Sequence, residues 1–153
     1  MNIKILHHKS KAVNQFEVSE WKEIDRKHYG REISEKEWKA IRYLLIVKDA
    51  EQIIGELDFT YLAGVSIIEA LIIAKNFRGH GIGKMLMQKT LDLSHKLGAH
   101  KICVDTGKKW ESVKFYEALG FKQTAEIPRH HFKEDFVQMT KYLTRSDLVE
   151  NSV

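Results

Sequence analysis

Three glycines alternate with other residues in the segment Arg78-Gly-His-Gly-Ile-Gly-Lys84, and the chain changes periodicity across it. Ahead of it, Ser66 to Ala74 is an apolar run broken by Glu69, too apolar for an edge and therefore expected as a central strand. Behind it, Met85, Leu86, Leu93 and Leu97 recur at helical spacing, with Lys84, Lys89, Asp92 and Lys96 on other faces and Gly98 as the stop. Lys101 to Asp105 then reads as a strand that receives the helix. A strand, helix, strand crossover in the middle of the chain predicts a mixed α/β (α+β) fold.

The flanking segments extend that sheet. Asn2 to Leu6 reads as a short first strand, and Ser19 as the N-cap of a helix that carries Trp21, reaches about His28 and is closed by Gly30. Ser34-Glu-Lys-Glu37 has the capping-box pattern and predicts a second short helix that turns Trp38 and Ile41 toward the core. Tyr43 to Lys48, the turn Asp49-Ala-Glu-Gln52, and the alternation of Ile53, Gly55, Leu57, Phe59 and Tyr61 with Glu56, Asp58 and Thr60 predict an antiparallel hairpin, followed by a turn at Ala63-Gly64. Trp110 to Leu119 reads as a helix stopped by Gly120, Phe121 to Ile127 and Phe136 to Leu143 as the last strands, and the polar tail beyond Thr144 as frayed. The expectation is a mostly antiparallel mixed sheet flanked by about four helices. With no repeat, low-complexity tract or linker, residues 1–153 read as a single domain.

Composition narrows the function classes. A chain of 153 residues, 43% hydrophobic and 30% charged, buries roughly 68–70% of its unfolded surface and needs no disulfide or metal to hold a core. Cys103 is the single cysteine, and Met1 to Val13 lacks the apolar run of about 7–15 residues of a secretory leader, which points to a cytoplasmic location. Tyr43 to Val47 and Val65 to Ala74 fall far short of the roughly 20 apolar residues of a membrane span, so no membrane partner is expected. The net charge of +4 and an isoelectric point of about 9.1 raise an RNA- or ribosome-associated role. Against it, the basic residues interleave with acidic ones and never run beyond a pair such as Lys108 and Lys109, so nucleic acid is not the expected partner.

The glycine segment carries the chemistry. The first N–H groups of a helix lack intrahelical acceptors, the helix dipole adds about half a positive charge there, and glycines remove the Cβ atoms that would hold a phosphate away. The alternative, a glycine turn without ligand, would cost the following helix near 1 kcal/mol for each glycine inside it. A Walker loop ending at Gly83-Lys84 would need Gly at 78 and Ser or Thr at 85, where Arg78 and Met85 stand. A dinucleotide fingerprint would need Gly at 84 or 86, where Lys84 and Leu86 stand. Both fail.

What remains is R/Q-x-x-G-x-G/A, met by Arg78, Gly81 and Gly83, and in this the sequence resembles the GNAT superfamily of N-acetyltransferases. Ile67-Ile-Glu-Ala-Leu-Ile-Ile-Ala74 resembles the family's fourth strand. Ser112-Val-Lys-Phe-Tyr-Glu-Ala-Leu-Gly-Phe121 resembles its A-x-x-[LF]-Y-x-x-L-G-F segment. The motifs cover about Val65 to Phe121, and the hairpins before and the strand after them fit one GNAT-like domain.

The resemblance implies acetyl-CoA as co-substrate, no metal, and direct transfer of acetyl to an amine without a covalent enzyme intermediate. It places the pyrophosphate on the backbone of Arg78, Gly79, His80, Gly81, Ile82, Gly83 and Lys84. The backbones of Leu71, Ile72 and Ile73 would hold the pantetheine arm and the thioester carbonyl where the fourth strand and the next splay apart. Tyr116 matches the family's tyrosine at the cofactor sulfur, a general acid, with a merely packed Tyr as the alternative. A thiol of pKa about 8.5 against a phenol near 10 makes complete proton transfer uphill by roughly 2 kcal/mol, while hydrogen bonding still helps.

An alkyl amine of pKa about 10.4 is neutral only about once in a few thousand molecules at pH 7, so a base or water chain is required. By period two, Glu69 shares a face with Leu71 and Ile73 and is the first candidate base, with a partly exposed or salt-bridged carboxylate as the alternative. The sequence departs from the family pattern at Lys109, where many members have Asn, and at Ser112, usually Ala. These departures motivate a rival reading as an acetyl-CoA sensor or inactive homologue.

Cys103 reads as a small buried hydrophobe rather than a nucleophile, and Phe115 and Leu119 as core. His130 and His131 are adjacent and cannot both face one site on an extended strand, though Arg129 to His131 could border the acceptor pocket. Trp21 and Trp38 read as core first and pocket lining second. The acceptor is unnamed by any motif: small amine, antibiotic, amino acid and protein amine all remain open. Family habit suggests a homodimer.

Overall fold

The computed structural model describes residues 3–144, which fall into two compact units that divide between Trp38 and Lys39. The expected frayed tail beyond Thr144 lies outside the described residues.

The first unit is built on helix α1, Lys11–Tyr29. Its N-cap is Ser10, whose Oγ accepts the Val13 N–H at 3.3 Å, and Gly30 closes it at φ 71° with its N–H on the Arg26 carbonyl. Ser19, the expected cap, lies inside the helix and donates its hydroxyl to the Phe16 carbonyl. No Gly or Pro stands between Ser10 and Ser19, so the helix propagates back to the earlier cap. The capping-box bonds of Ser34 and Glu37 form in both directions, at 3.0 and 3.4 Å, yet they close a single turn at 35–38 and no helix follows. Trp38 and Ile41 are 45% and 43% exposed rather than core. Ile3 to Leu6 form no strand, and Asn2 lies outside the described residues. Among the described residues there are three α-helices instead of about four.

The second unit is a six-stranded sheet: β1 Ile41–Asp49, β2 Gln52–Leu62, β3 Val65–Ile73, β4 Lys101–Gly107, β5 Lys122–Ile127 and β6 Phe136–Tyr142. The spatial order is β1-β2-β3-β4-β6-β5, antiparallel throughout except for the parallel pair β3–β4. Helix α2, Ile82–Lys96, makes the crossover between those two strands, as the change of periodicity required. Helix α3, Ser112–Ala118, follows β4.

One face of the sheet carries Tyr43, Leu45, Leu57, Phe59, Ile68, Leu71, Ile102, Val104, Val137 and Met139. They form one apolar cluster with Leu86, Met87 and Leu91 of α2 and Tyr116 of α3. Both helices therefore cover the same face. On the alternate side of the strands, Leu44, Ile46, Ile67 and Ile72 are exposed.

A bulge changes the alternation in β3. Asp58 of β2 pairs with Ala70 and the next residue, Phe59, with Ile68, so Glu69 is the extra residue. Before it Ser66 and Ile68 are buried, and after it Leu71 and Ile73 pack against the core.

Candidate active site

The parallel pairing of β3 and β4 runs from Val65↔Lys101 to Ile68↔Val104 and stops, while β3 continues to Ile73 and β4 to Gly107. From Glu69 and Asp105 onward β4 stays with β6 and β3 with β2. The facing edges therefore present backbone N–H and C=O groups with no strand partner over five residues of β3, about 16 Å. Leu71, Ile72 and Ile73 lie along this split. Their side chains divide: Leu71 and Ile73 pack on the core, and Ile72 is exposed.

The glycine turn stands beyond the end of β3. Gly79 and Gly81 have φ of 79° and 81°, a left-handed conformation that non-glycine residues enter at a cost, and a Cβ built on either would meet nothing within 4 Å. Open space therefore lies over the turn. Gly81 is the N-cap of α2, and the first helical bond runs from the Met85 N–H to the Gly81 carbonyl at 3.0 Å. The N–H groups of Ile82, Gly83 and Lys84 thus lack intrahelical acceptors at the positive end of a 15-residue helix.

Arg78 acts differently. Its N–H reaches the Lys75 carbonyl at 3.4 Å and its Nε donates to the Ile73 carbonyl at 3.0 Å, tying the turn to the last residue of β3. His80 Nδ1 lies 2.9 Å from the Arg78 carbonyl oxygen. These two side chains brace the turn from within.

Two close approaches fix α2 over the split. A Cβ on Gly83 would lie 3.4 Å from the Phe115 ring, so this glycine lets α2 meet α3. A Cβ on Gly55 would lie 2.9 Å from Ile73 Cδ1 and 3.2 Å from Ile82 Cγ2. Gly55 thereby makes room for both ends of the turn, a role missed in the sequence, where an isolated strand glycine was the available signal.

Helix α3 is anchored to the end of β4. Thr106 Oγ1 and Ser112 Oγ are 2.6 Å apart, and the Trp110 indole covers Gly107 so closely that a Cβ there would lie 2.4 Å away. Ser112 thus has a structural use at the position where the family usually has Ala. Tyr116 is 4% exposed, with Phe115 edge-on at 5.2 Å and Phe121 at 5.5 Å. Burial pushes its phenol up to about 12. Among the described residues no protein group bonds its hydroxyl, which leaves the oxygen available.

Glu69 does not share a face with Leu71 and Ile73. The bulge moves it to the exposed side, whereas those two side chains turn inward. There it joins groups that sequence reasoning had not combined. The Arg42 Nε donates to both carboxylate oxygens of Asp58, at 2.9 and 3.0 Å, and its Nη2 also donates to Asp58. Arg42 holds the Asp58 carboxyl below its ordinary range, and Asp58 with Glu69 raises the guanidinium. Cys103 is buried, as expected, and desolvation first, then the Asp105 and Glu69 charges, push its thiol up.

His130 and His131 both pack on Phe136, at 5.2 and 5.4 Å, with their rings 4.1 Å apart. The expectation that neighbours diverge assumed an extended strand. Here a short 3-10 turn, with Phe132 at φ 53°, folds both rings to one side. Among the described residues no helix is long and apolar enough to cross a membrane.

A family profile described as an acetyltransferase (GNAT) domain matches residues 8–143. The chain belongs to the GNAT acetyltransferase family. Within that family it is similar to glucosamine 6-phosphate N-acetyltransferase of Trypanosoma brucei brucei, 36% identical over 58 residues, 38% of each chain. It is also similar to N-alpha-acetyltransferase 30 of Schizosaccharomyces pombe, 37% identical over 65 residues, 42% of this chain and 43% of that one. The chain thus spans less than half the length of the curated relatives it matches. Among solved structures, a GNAT family acetyltransferase from Elizabethkingia anophelis with acetyl-CoA bound is 19% identical. It covers 65% of this chain and 75% of its own, with a TM-score of 0.61, and so shares the GNAT fold.

Proposed function

We propose that this GNAT protein transfers the acetyl group of acetyl-CoA directly to a primary amine. The observation that carries the reading is the split between β3 and β4, ending under a glycine turn whose helix N-terminus has free N–H groups and open space above it. An anion fits such a terminus, and an extended amide-containing arm fits strand edges with unused backbone groups. The relatives' names and the acetyl-CoA bound to a neighbour of the same fold support that choice of donor.

Acetyl-CoA supplies an activated thioester whose thiolate is a good leaving group. The N–H groups of Gly79 to Lys84 would hold its pyrophosphate, with Arg78 and His80 bracing the turn. The edge backbone of Leu71, Ile72 and Ile73 would orient the arm, fixing the thioester where the strands part. Tyr116 donates a hydrogen bond to the leaving sulfur. With the phenol at about 12 and the thiol near 8.5, full proton transfer is uphill by about 5 kcal/mol, so the hydroxyl stabilises the charge developing on sulfur as the C–S bond breaks, and the departing thiolate takes its proton from solvent. Glu69, exposed at the bulge beside the split, receives the acceptor's ammonium and passes its proton to solvent.

Calorimetric titration with acetyl-CoA, with CoA as control, followed by CoA release in an amine screen, tests the reading. Saturable binding and amine-dependent thiol release are expected. Absence of binding up to about millimolar ligand, weaker than about 4 kcal/mol, would remove its foundation.

A further inference from the structure

Helices α2 and α3 cover one face of the split sheet, and Arg42, Asp58 and Glu69 stand on its other face. Three features there belong together. The Asp58 side chain is 8% exposed and spends both oxygens on Arg42. The Arg42 side chain is 71% exposed although its Nε and Nη2 are fixed, so its remaining guanidinium donors are held in place and open to solvent. Glu69, one strand further on, is the bulge residue at the point where β3 and β4 part.

A guanidinium oriented by a buried carboxylate is a preorganised anion site, because its planar fork does not have to be ordered by the ligand. Asp58 balances its charge but leaves donors unused. Glu69 is a carboxylate with no cation within ion-pair distance among the described residues, while Arg42 is within electrostatic range of it. The face therefore offers a fixed cationic group and an anionic group in order from β2 to the split.

Resting on the transferase reading above, we infer that the acceptor is an amine carrying its own anionic group, with the ammonium at Glu69 and the anion on Arg42. Strand spacing sets the separation. From the Asp58 position on β2 to the middle of the split is one and a half strand spacings of about 4.8 Å, hence about 7 Å between nitrogen and anion. An α-amino acid, with a single carbon between the two groups, is too short. Five methylenes suffice.

The test compares 6-aminohexanoate, hexylamine and glycine as acceptors, read by CoA release. For the wild type, KM for 6-aminohexanoate at least tenfold below that for hexylamine, with glycine inert, is expected. In Arg42→Met/Asp58→Asn, which removes the guanidinium without stranding a buried charge, the two KM values should come within threefold. Arg42→Lys should restore part of the preference. Equal KM values in the wild type, a preference that survives the double variant, or failure to acetylate either long amine while another amine of the screen is acetylated would overturn the inference alone. Loss of acetyl-CoA binding in the wild-type titration would instead overturn the transferase reading beneath it.

Discussion

Replacing Tyr116 by Phe removes a single oxygen from a side chain that is 4% exposed, and the structure sets both what this should cost and what it should leave alone. Because no protein group among the described residues bonds the hydroxyl, its loss strands no buried partner, and the ring contacts with Phe115 and Phe121 persist. Melting temperature should stay within about 2 °C, since a change of 1 kcal/mol moves a domain of this size by about 2–4 °C. Catalysis should suffer more. A hydrogen bond to developing thiolate contributes about 1.5–3 kcal/mol, so kcat should fall between about tenfold and 150-fold with the acetyl-CoA dissociation constant unchanged. Steady-state kinetics with a saturating amine, beside a calorimetric titration, reads both quantities. A kcat within twofold of the wild type would refute the argument that this oxygen faces the leaving sulfur.

The same phenol gives an alkaline signature. Its folded pKa of about 12 lies above the unfolded value near 10, so its contribution to stability is complete below pH 10 and is lost as pH rises through 12, up to about 3 kcal/mol. Denaturant midpoints should therefore fall further for wild type than for Tyr116→Phe between about pH 9 and 11.5, and midpoints that run parallel over that range would refute the assignment. Gly81→Ala places a side chain at φ 81° in open space, so it should fold with a loss of about 1–2 kcal/mol yet bind acetyl-CoA at least tenfold more weakly; unchanged affinity would put the pyrophosphate elsewhere. Gly107→Ala drives a Cβ to 2.4 Å from the Trp110 indole, which must leave its edge-on contact with Phe136. A loss of about 1–3 kcal/mol and a changed near-UV circular dichroism spectrum are expected, and an unaltered spectrum would contradict the packing.

Which features were legible in the sequence follows from the range of the forces that make them. The turn at Gly79 to Gly83 and helix α2 were legible because positive φ and apolar periodicity act over a few residues. The antiparallel hairpin of β1 and β2 was legible from alternation alone. The start of α1 was not, since Ser19 read as the cap and the helix propagates back past it to Ser10. Nor was the single turn at Ser34, whose capping box forms and then leads nowhere. Helix nucleation needs subsequent turns to add bonds, and here the chain enters β1 instead.

By itself the sequence determined the order of strands and helices from Ile41 onward, the glycine turn, and the tyrosine that the family motif singles out. Tertiary structure decided where β3 and β4 separate, because pairing ends according to which neighbour each strand follows, β2 or β6. It decided that Glu69 faces outward, since an extra residue in β3 shows only when the strand is laid against β2. It also joined Arg42 to Asp58 across sixteen positions of sequence and buried the Tyr116 phenol to about 12. A side chain's neighbours across a sheet fix its charge state and direction, and one-dimensional periodicity does not contain them.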